Sequence, residues 1–275
     1  MNERASTEPK LVQAEEFVRF NPGQRLEHFL LMVAFLGLCL TGIPQKFYGE
    51  AWASWLILLM GGIETTRLIH RFFAVLLVLE SLYHVFYIVL GLLRGNQRPS
   101  MVPKLQDFRD SFGMLRYSVG LLPEPPKFDR YDYRQKFEYW GLVLGNFIMI
   151  ATGAILWFPV LATRLLPGEL IPAAKEAHSG EALLALLVIT VWHLYSVHLS
   201  PVQFPGDTSI FTGRISKRRL IEEHPLEYLR LARLGRQGIR RDEAPSPSLS
   251  ANGGQDETGH IHGEDEWAPY SESSQ

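Results

Sequence analysis

Two histidines in the apolar stretch TRLIHRFFAVLLVLESLYHVFYIVL, residues 66–90, lie fourteen positions apart, at His70 and His84. In an α-helix, fourteen residues return to within about 40° of the starting direction and rise about 21 Å. His178 and His193 lie fifteen positions apart in another apolar stretch, a rotation of about 60°. Each stretch therefore presents two imidazoles on one broad helix face, at two depths. Imidazoles in such positions serve as metal ligands, proton carriers or hydrogen-bonding bridges between helices.

Six of the nine histidines lie in or at the ends of apolar stretches, since His28 and His198 join the four above. A single histidine of this kind is as well explained by a hydrogen bond between helices. Six such histidines are not well explained in this way, because polar groups are costly in hydrocarbon and tend to mark a functional path. His198 is the weakest candidate ligand, because it is turned about 140° from His193 and lies near the predicted membrane surface.

Four stretches are long enough to cross a hydrocarbon layer of about 30 Å as helices. Their apolar cores contain no charged residue except Glu80 in the second. We predict an all-α integral membrane protein built as a four-transmembrane-helix bundle, with spans at about 27–46, 68–93, 137–162 and 178–202. A thirteen-residue apolar segment at 51–63 is too short for a span and is predicted to lie on the membrane surface.

Lys and Arg residues concentrate in three segments: 4 in the N-terminal segment, 9 in residues 94–136 and 9 after residue 200. By the positive-inside rule, both termini and the central loop face the cytoplasm. The predicted organisation is a cytoplasmic N-terminal segment (1–26), a transmembrane domain (27–206), a cytoplasmic amphipathic segment (207–241) and a disordered acidic tail (242–275). The tail contains eight acidic residues and no basic one, a composition typical of disorder.

The chain also contains an internal repeat. FEYWGLVLGNFIMIATG, residues 137–153, aligns without gaps on LEHFLLMVAFLGLCLTG, residues 26–42. The alignment pairs Glu138 with Glu27, Tyr139 with His28 and the two Thr-Gly pairs with each other. Spans 2 and 4 correspond likewise through their histidine pairs. A duplicated helix pair favours an antiparallel four-helix bundle. Glu27 and Glu138 open spans 1 and 3, where they are either proton-transfer groups or interfacial anchors.

The histidines form two candidate haem sites, because they lie in pairs at matching depths in the predicted membrane. His70 and His178 lie near the outer face, whereas His84 and His193 lie near the inner face. A low-spin b-type haem needs a nitrogen donor above and below its iron, and facing helices of a bundle can supply both. His28, which begins span 1, lies level with the inner site and competes with His84.

The cysteine content excludes redox centres that are held by cysteine. The only cysteine, Cys39, lies inside the first span. The chain therefore has no CxxCH for a covalently attached haem and no cysteine quartet for an iron–sulfur cluster.

Five stretches, in order and spacing, resemble the membrane cytochrome b subunits of respiratory oxidoreductases: RLEHFLLM, LIHRFFA, RYDYRQKFEYW, TGAILWFP and WHLYSVH. The resemblance covers most of residues 19–230. It is strongest to the gamma subunit of formate dehydrogenase and looser to the b-type cytochromes of nickel–iron hydrogenases and thiosulfate reductases.

The resemblance implies two b haems and electron transfer between a partner on the periplasmic side and a quinone, menaquinone or ubiquinone, near the inner face. It implies that His70 and His178 ligate the outer haem iron and that His28 and His193 ligate the inner one. The quinone would lie beside Asp132, Arg134 and Gln135, with His193 behind them. The position of His198 near the membrane surface, and not the resemblance, suggests that it contacts a haem propionate or the quinone instead of ligating an iron.

This chain departs from the family pattern at three places. The family's quinone stretch has an asparagine and a glycine at the two positions where this chain has Asp132 and Arg134. His84 has no counterpart in the formate dehydrogenase subunit and remains an alternative inner ligand. The histidine spacing in span 4 is one residue longer, which predicts a local helix bulge near His193.

The expected partners are membrane lipid, quinone and a hydrophilic periplasmic-side redox subunit, either an iron–sulfur protein or a multihaem cytochrome c, and no nucleic acid. The expected location is a bacterial or archaeal cytoplasmic membrane. Such a subunit would transfer electrons within a complex rather than act as an enzyme alone. Two alternatives remain: a stand-alone quinone oxidoreductase like cytochrome b561, and a haem-free helical anchor or transporter.

Overall fold

A computed structural model describes residues 16–95, 99–200 and 203–242, with side chains described as far as residue 234. The predicted tail beyond Asp242, which contains His260 and His262, lies outside these residues. The α-helices are α1 (Pro22–Lys46), α2 (Ala51–Leu59), α3 (Ile63–Leu93), α4 (Leu105–Ser118), α5 (Tyr133–Trp157), α6 (Pro159–Leu165), α7 (Leu170–Leu187), α8 (Ser209–Thr212), α9 (Lys217–Glu223) and α10 (Pro225–Asp242). By its contacts the chain divides into residues 1–232 and residues 233–275.

Four helices are long and apolar enough to cross a membrane, as the sequence predicts: α1, α3, α5 and α7 with its continuation to Leu199. α1 packs against α3, and α5 packs against α7, while α1–α7 and α3–α5 contacts join the two pairs. Within each pair the helices are antiparallel. We call the end of the bundle where α1 and α5 begin the proximal end, and the other the distal end.

The repeat is visible in how α1 and α5 begin. Asn21 caps α1 by accepting a hydrogen bond from the Gln24 backbone N–H, and the Gln24 side chain accepts from the Asn21 backbone N–H. Asp132 and Gln135 form the same reciprocal capping box at the start of α5. Such boxes satisfy N–H groups that the first helical turn leaves unpaired.

The helix bounds differ from the predicted spans, because hydropathy registers only the apolar core. α1 and α5 begin several residues earlier, at their capping residues, and α3 and α7 also begin earlier, at Ile63 and Leu170. α5 ends at Trp157 rather than near residue 162, and α6 begins at Pro159. Proline disfavours helical geometry in the residue before it, and Phe158 accordingly leaves the helical region with φ −120° and ψ 58°.

The bulge predicted in span 4 is present. α7 passes into π-helical segments at Val188–His193 and Tyr195–Leu199. π-helical turns accommodate an additional residue within a helix. They occur where the spacing between His178 and His193 exceeds that between His70 and His84 by one residue.

Smaller elements gather at the proximal end. The all-α prediction missed two short strands, Glu16–Val18 (β1) and Arg214–Ser216 (β2), which pair antiparallel with Phe17 opposite Ile215. Three-residue strands are too short to show a periodic pattern. In the central loop, the Asp107 carboxylate of α4 lies 2.7 Å from the Lys136 ammonium of α5.

Candidate functional site

His70 and His178 face each other at the distal end of the bundle. Their ring centroids lie 6.3 Å apart, with an interplanar angle of 74°. Each is bound through Nδ1 to a threonine of the neighbouring helix: His70 to Thr41 Oγ1 at 2.8 Å, and His178 to Thr152 Oγ1 at 3.0 Å. The two bonds occupy equivalent positions in the repeat.

These threonines fix which ring nitrogen carries the proton. The single hydroxyl proton of Thr41 is donated to the Gly37 carbonyl at 2.7 Å, and that of Thr152 to the Ile148 carbonyl at 2.6 Å. The histidine Nδ1–H must therefore be the donor to each threonine oxygen. Nε2 of both rings then carries a free lone pair, the arrangement found in metal-ligating histidines.

Glycines let the neighbouring helices approach these rings. A Cβ atom on Gly42 would lie 3.0 Å from Cε1 of His70, and one on Gly153 would lie 3.3 Å from Cε1 of His178. Both glycines follow the threonines directly, so each repeat provides one Thr-Gly pair that positions one ring.

His28 and His193 form a second pair at the proximal end. Their ring centroids lie 6.4 Å apart at an interplanar angle of 36°. Nδ1 of His193 lies 2.9 Å from Oε2 of Glu138. Because a carboxylate accepts the proton on Nδ1, Nε2 of His193 is also left free.

His84 lies at the same end but is hydrogen-bonded through both nitrogens. Nδ1 lies 3.0 Å from Oε2 of Glu27, and Nε2 lies 3.0 Å from the Tyr139 hydroxyl. Neither nitrogen is free in this arrangement. Since Tyr139 aligns with His28 in the repeat, the proximal end holds two related pairs, one of two imidazoles and one of an imidazole and a phenol.

The two imidazole pairs fit a metal held between their rings. Two metal–imidazole bonds of about 2 Å, with the distance from each nitrogen to its ring centre, separate the centroids by about 6 Å, as in both pairs. Among the described residues, no group of three or more His, Cys, Asp or Glu residues could hold a metal ion. Two imidazoles occupy two coordination positions of a metal, and a macrocycle such as haem can supply the others.

The model of one protein family, described as prokaryotic cytochrome b561, matches residues 19–202. The chain belongs to the prokaryotic cytochrome b561 family. Haem binding and electron transport follow from this membership, and the resemblance to membrane cytochrome b subunits of respiratory oxidoreductases is confirmed.

Similar curated proteins point the same way. The chain is 24% identical over 220 residues to the cytochrome b556 subunit of formate dehydrogenase from Haemophilus influenzae. This alignment covers 77% of this chain and 82% of that protein. It is 20% identical over 201 residues to the cytochrome b556(Fdn) subunit of the nitrate-inducible formate dehydrogenase of Escherichia coli, covering 73% and 85%. The Escherichia coli cytochrome b556(fdo) subunit is 23% identical over 185 residues, covering 66% and 79%.

In this cytochrome b, the residues expected at the quinone site form the start of α5. Asp132 is buried. One of its carboxylate oxygens caps α5 by accepting a hydrogen bond from the Gln135 backbone N–H, and the other pairs with the Arg134 guanidinium at 2.7 Å. The side chain of Arg134 is half exposed and lies within electrostatic range of Glu138, the partner of His193. These residues therefore have a structural role in helix capping, whether or not they also contact a ligand.

His198 is not part of either imidazole pair. It lies in the second π-helical segment against Gly206, where an added Cβ would lie 2.8 Å from its Nδ1.

The charged sequence EEHPLEY predicts a surface position for His224, but this prediction is wrong, because the residue is only 5% exposed. Its Nδ1–H donates to the Asp129 carbonyl at 2.7 Å, and its Nε2 accepts from Arg19 at 3.0 Å. Burial lowers the pKa of His224, and the Arg19 guanidinium lowers it further. The sequence EEHPLEY carries no signal of this burial, which arises from segments far apart in the chain.

Glu227 completes this buried cluster. It lies 2.7 Å from Arg19 and 2.9 Å from Arg130. Arg130 also donates to the Arg19 carbonyl. The cluster ties the N-terminal segment, the loop before α5 and α10 together, next to Asp132.

Proposed function

We propose that this cytochrome b is the membrane subunit of a respiratory oxidoreductase and carries electrons between a periplasmic-side redox partner and the quinone pool through two b haems. Two imidazole pairs at opposite ends of the bundle support this proposal most directly. A haem b held at each pair supplies reversible one-electron transfer at its iron.

At the distal site, we assign His70 and His178 as the residues that would hold the haem iron. Thr41 and Thr152 keep the protons on Nδ1, so that both Nε2 atoms present lone pairs to the iron. The glycines beside the rings leave space for the imidazoles against the neighbouring helices.

At the proximal site, we assign His28 and His193 rather than His84. The ring separation of 6.4 Å matches that of the distal pair. His84 would first have to release Tyr139 before its Nε2 could bind iron. Its role is to hold α1 in place, because Glu27, the residue before His28, binds it directly.

The quinone site is proposed at the start of α5. Arg134 offers exposed N–H donors to a quinone carbonyl, while Asp132 and Gln135 hold the guanidinium and the helix start in place. His193 lies on the bundle side, linked to this region through Glu138. Substitution of Arg134 should therefore affect quinone kinetics without loss of the proximal haem.

The concentration of Lys and Arg near the proximal end supports an orientation in which this end and both termini face the cytoplasm. The distal end then faces the periplasm, where the hydrophilic redox subunit would dock. The relatives named as subunits of formate dehydrogenase support such a partner. The amphipathic segment 207–241 and the acidic tail 242–275 would lie on the cytoplasmic side.

Purification from the native membrane tests the proposal. The preparation should contain about two haem b per chain, show b-type bands that quinol reduces, and include a hydrophilic redox subunit. Haem with quinol reduction but no partner would favour the stand-alone oxidoreductase suggested by the family's name. Absence of b-type bands would contradict both.

A further inference from the structure

A groove on the outside of the bundle lies between α3 and α5 near the distal end. Its lining is apolar except for one cation: Leu68, Ile69, Arg71, Phe72, Val75 and Trp157. Leu68 and Phe72 are 66% and 64% exposed, so the groove opens outwards. These residues recur at helical spacing on one face of α3, whereas neighbouring His70 points to Thr41 on α1.

Arg71 has no acidic partner among the residues that the structure describes. Its guanidinium lies 5.3 Å from the centre of the Trp157 ring. By contrast Arg67, one turn earlier on α3, pairs with Glu64 at 2.7 Å. The cation–π contact therefore positions the Arg71 guanidinium but does not neutralise its charge.

An arginine at the margin of the hydrocarbon layer needs an anion, because an unpaired charge is costly there. Trp157, at the end of α5, is a residue type typical of the headgroup level. The bilayer itself supplies phosphate at that level and acyl chains alongside it. We propose that this groove binds one anionic phospholipid, with its phosphate on Arg71 and an acyl chain along Leu68, Phe72 and Val75.

This inference does not depend on the proposed electron-transfer partner. A guanidinium–phosphate contact and an apolar groove act together only on a ligand that carries both an anionic headgroup and a chain. Free phosphate would have no reason to enter the groove, and a neutral lipid would lack the net charge that complements Arg71.

The test is native mass spectrometry of the purified protein from nanodiscs made of phosphatidylcholine alone or with phosphatidylglycerol. Wild type should retain one phosphatidylglycerol per chain. Arg71→Gln should weaken this retention about tenfold, as expected for loss of charge-assisted hydrogen bonds, while Arg71→Lys should keep much of it. Arg67→Gln is the matched control and should behave as wild type.

Equal retention by wild type and Arg71→Gln would overturn the proposal. So would retention of phosphatidylcholine as strongly as phosphatidylglycerol, or displacement of the lipid by millimolar inorganic phosphate. Loss of haem in Arg71→Gln with unchanged lipid retention would also overturn it, because Arg71 would then serve a haem carboxylate. If Arg71→Gln does not fold, Arg71→Ala takes its place in the same comparison, because alanine also removes the charge and the N–H donors.

Discussion

Glu27 binds Nδ1 of His84 at 3.0 Å, and this bond determines how the proximal end is arranged. It joins α1 to α3 one residue before His28 and, with Tyr139, satisfies both nitrogens of His84. The repeat preserves this bond, because Glu138 binds Nδ1 of His193 in the same way, so the two histidines differ only in the ring that each faces. Because the repeat places a tyrosine where the other copy has His28, only one of the two related pairs consists of imidazoles.

Thr152→Val removes the acceptor of the His178 Nδ1–H while keeping the side-chain shape. We expect distal haem to be held about tenfold more weakly, as for loss of other partners of ligating histidines. Haem retention during dilution, followed by absorption, measures this. Thr190→Val is the control, because Thr190 is exposed and bonds only to carbonyls of its own helix. Equal haem loss in both variants would contradict the role given to Thr152.

Gly42→Ala should lower occupancy of the distal haem, because the new methyl group would lie 3.0 Å from the His70 ring. Gly141→Ala is the matched control, because nothing lies within 4 Å of its added Cβ. Alanine is favoured over glycine in a helix by about 1 kcal/mol, so the control should be as stable as wild type or more so. Pyridine haemochrome assays of the two purified variants measure haem content. Full occupancy in Gly42→Ala would show that the ring has room to move.

Asp132→Asn separates helix capping from charge at the proposed quinone site. Asparagine is an equally good cap, as Asn21 demonstrates in the other repeat, so haem content should be unchanged. Arg134→Gln should raise the KM for quinol about tenfold, through loss of a charged donor. Steady-state quinol oxidation by the intact complex measures the KM. An unchanged KM in Arg134→Gln would remove this residue from the site.

The buried cluster around His224 should make the proximal segments sensitive to acid. Burial and Arg19 hold the folded-state pKa of His224 below its usual value, so the unfolded chain binds more protons below about pH 6.5. Stability is therefore fully present above this pH and decreases as pH falls towards the lowered pKa. Around the ring lie the charged side chains of Arg19, Glu223 and Glu227.

Limited proteolysis of residues 203–234 at pH 7.5 and pH 5.5 measures this effect. Cleavage in wild type should accelerate at the lower pH. His224→Gln should be cleaved faster at both pH values, because its hydrogen bonds are lost, but its rate should depend less on pH. An equally steep pH dependence in the variant would assign the effect to another group.

The sequence was sufficient for the four spans, because long uncharged runs have few alternatives in hydrocarbon. The resemblance also indicated the π-helical bulge, since the histidine spacing in span 4 is one residue longer than in the family pattern. The sequence could not separate His28 from His84, because both lie at one depth and only the hydrogen bonds of Glu27 and Tyr139 distinguish them. The cluster of Arg19, His224 and Glu227 was out of reach as well, since more than 200 residues separate its first and last members.

Haem content per chain in His28→Ala and His84→Ala tests the central assignment most directly. The account predicts about one haem b for His28→Ala, with the distal haem intact. For His84→Ala it predicts nearly two, with the proximal haem held more weakly. The opposite result, two haems in His28→Ala and one in His84→Ala, would contradict it and assign the proximal iron to His84.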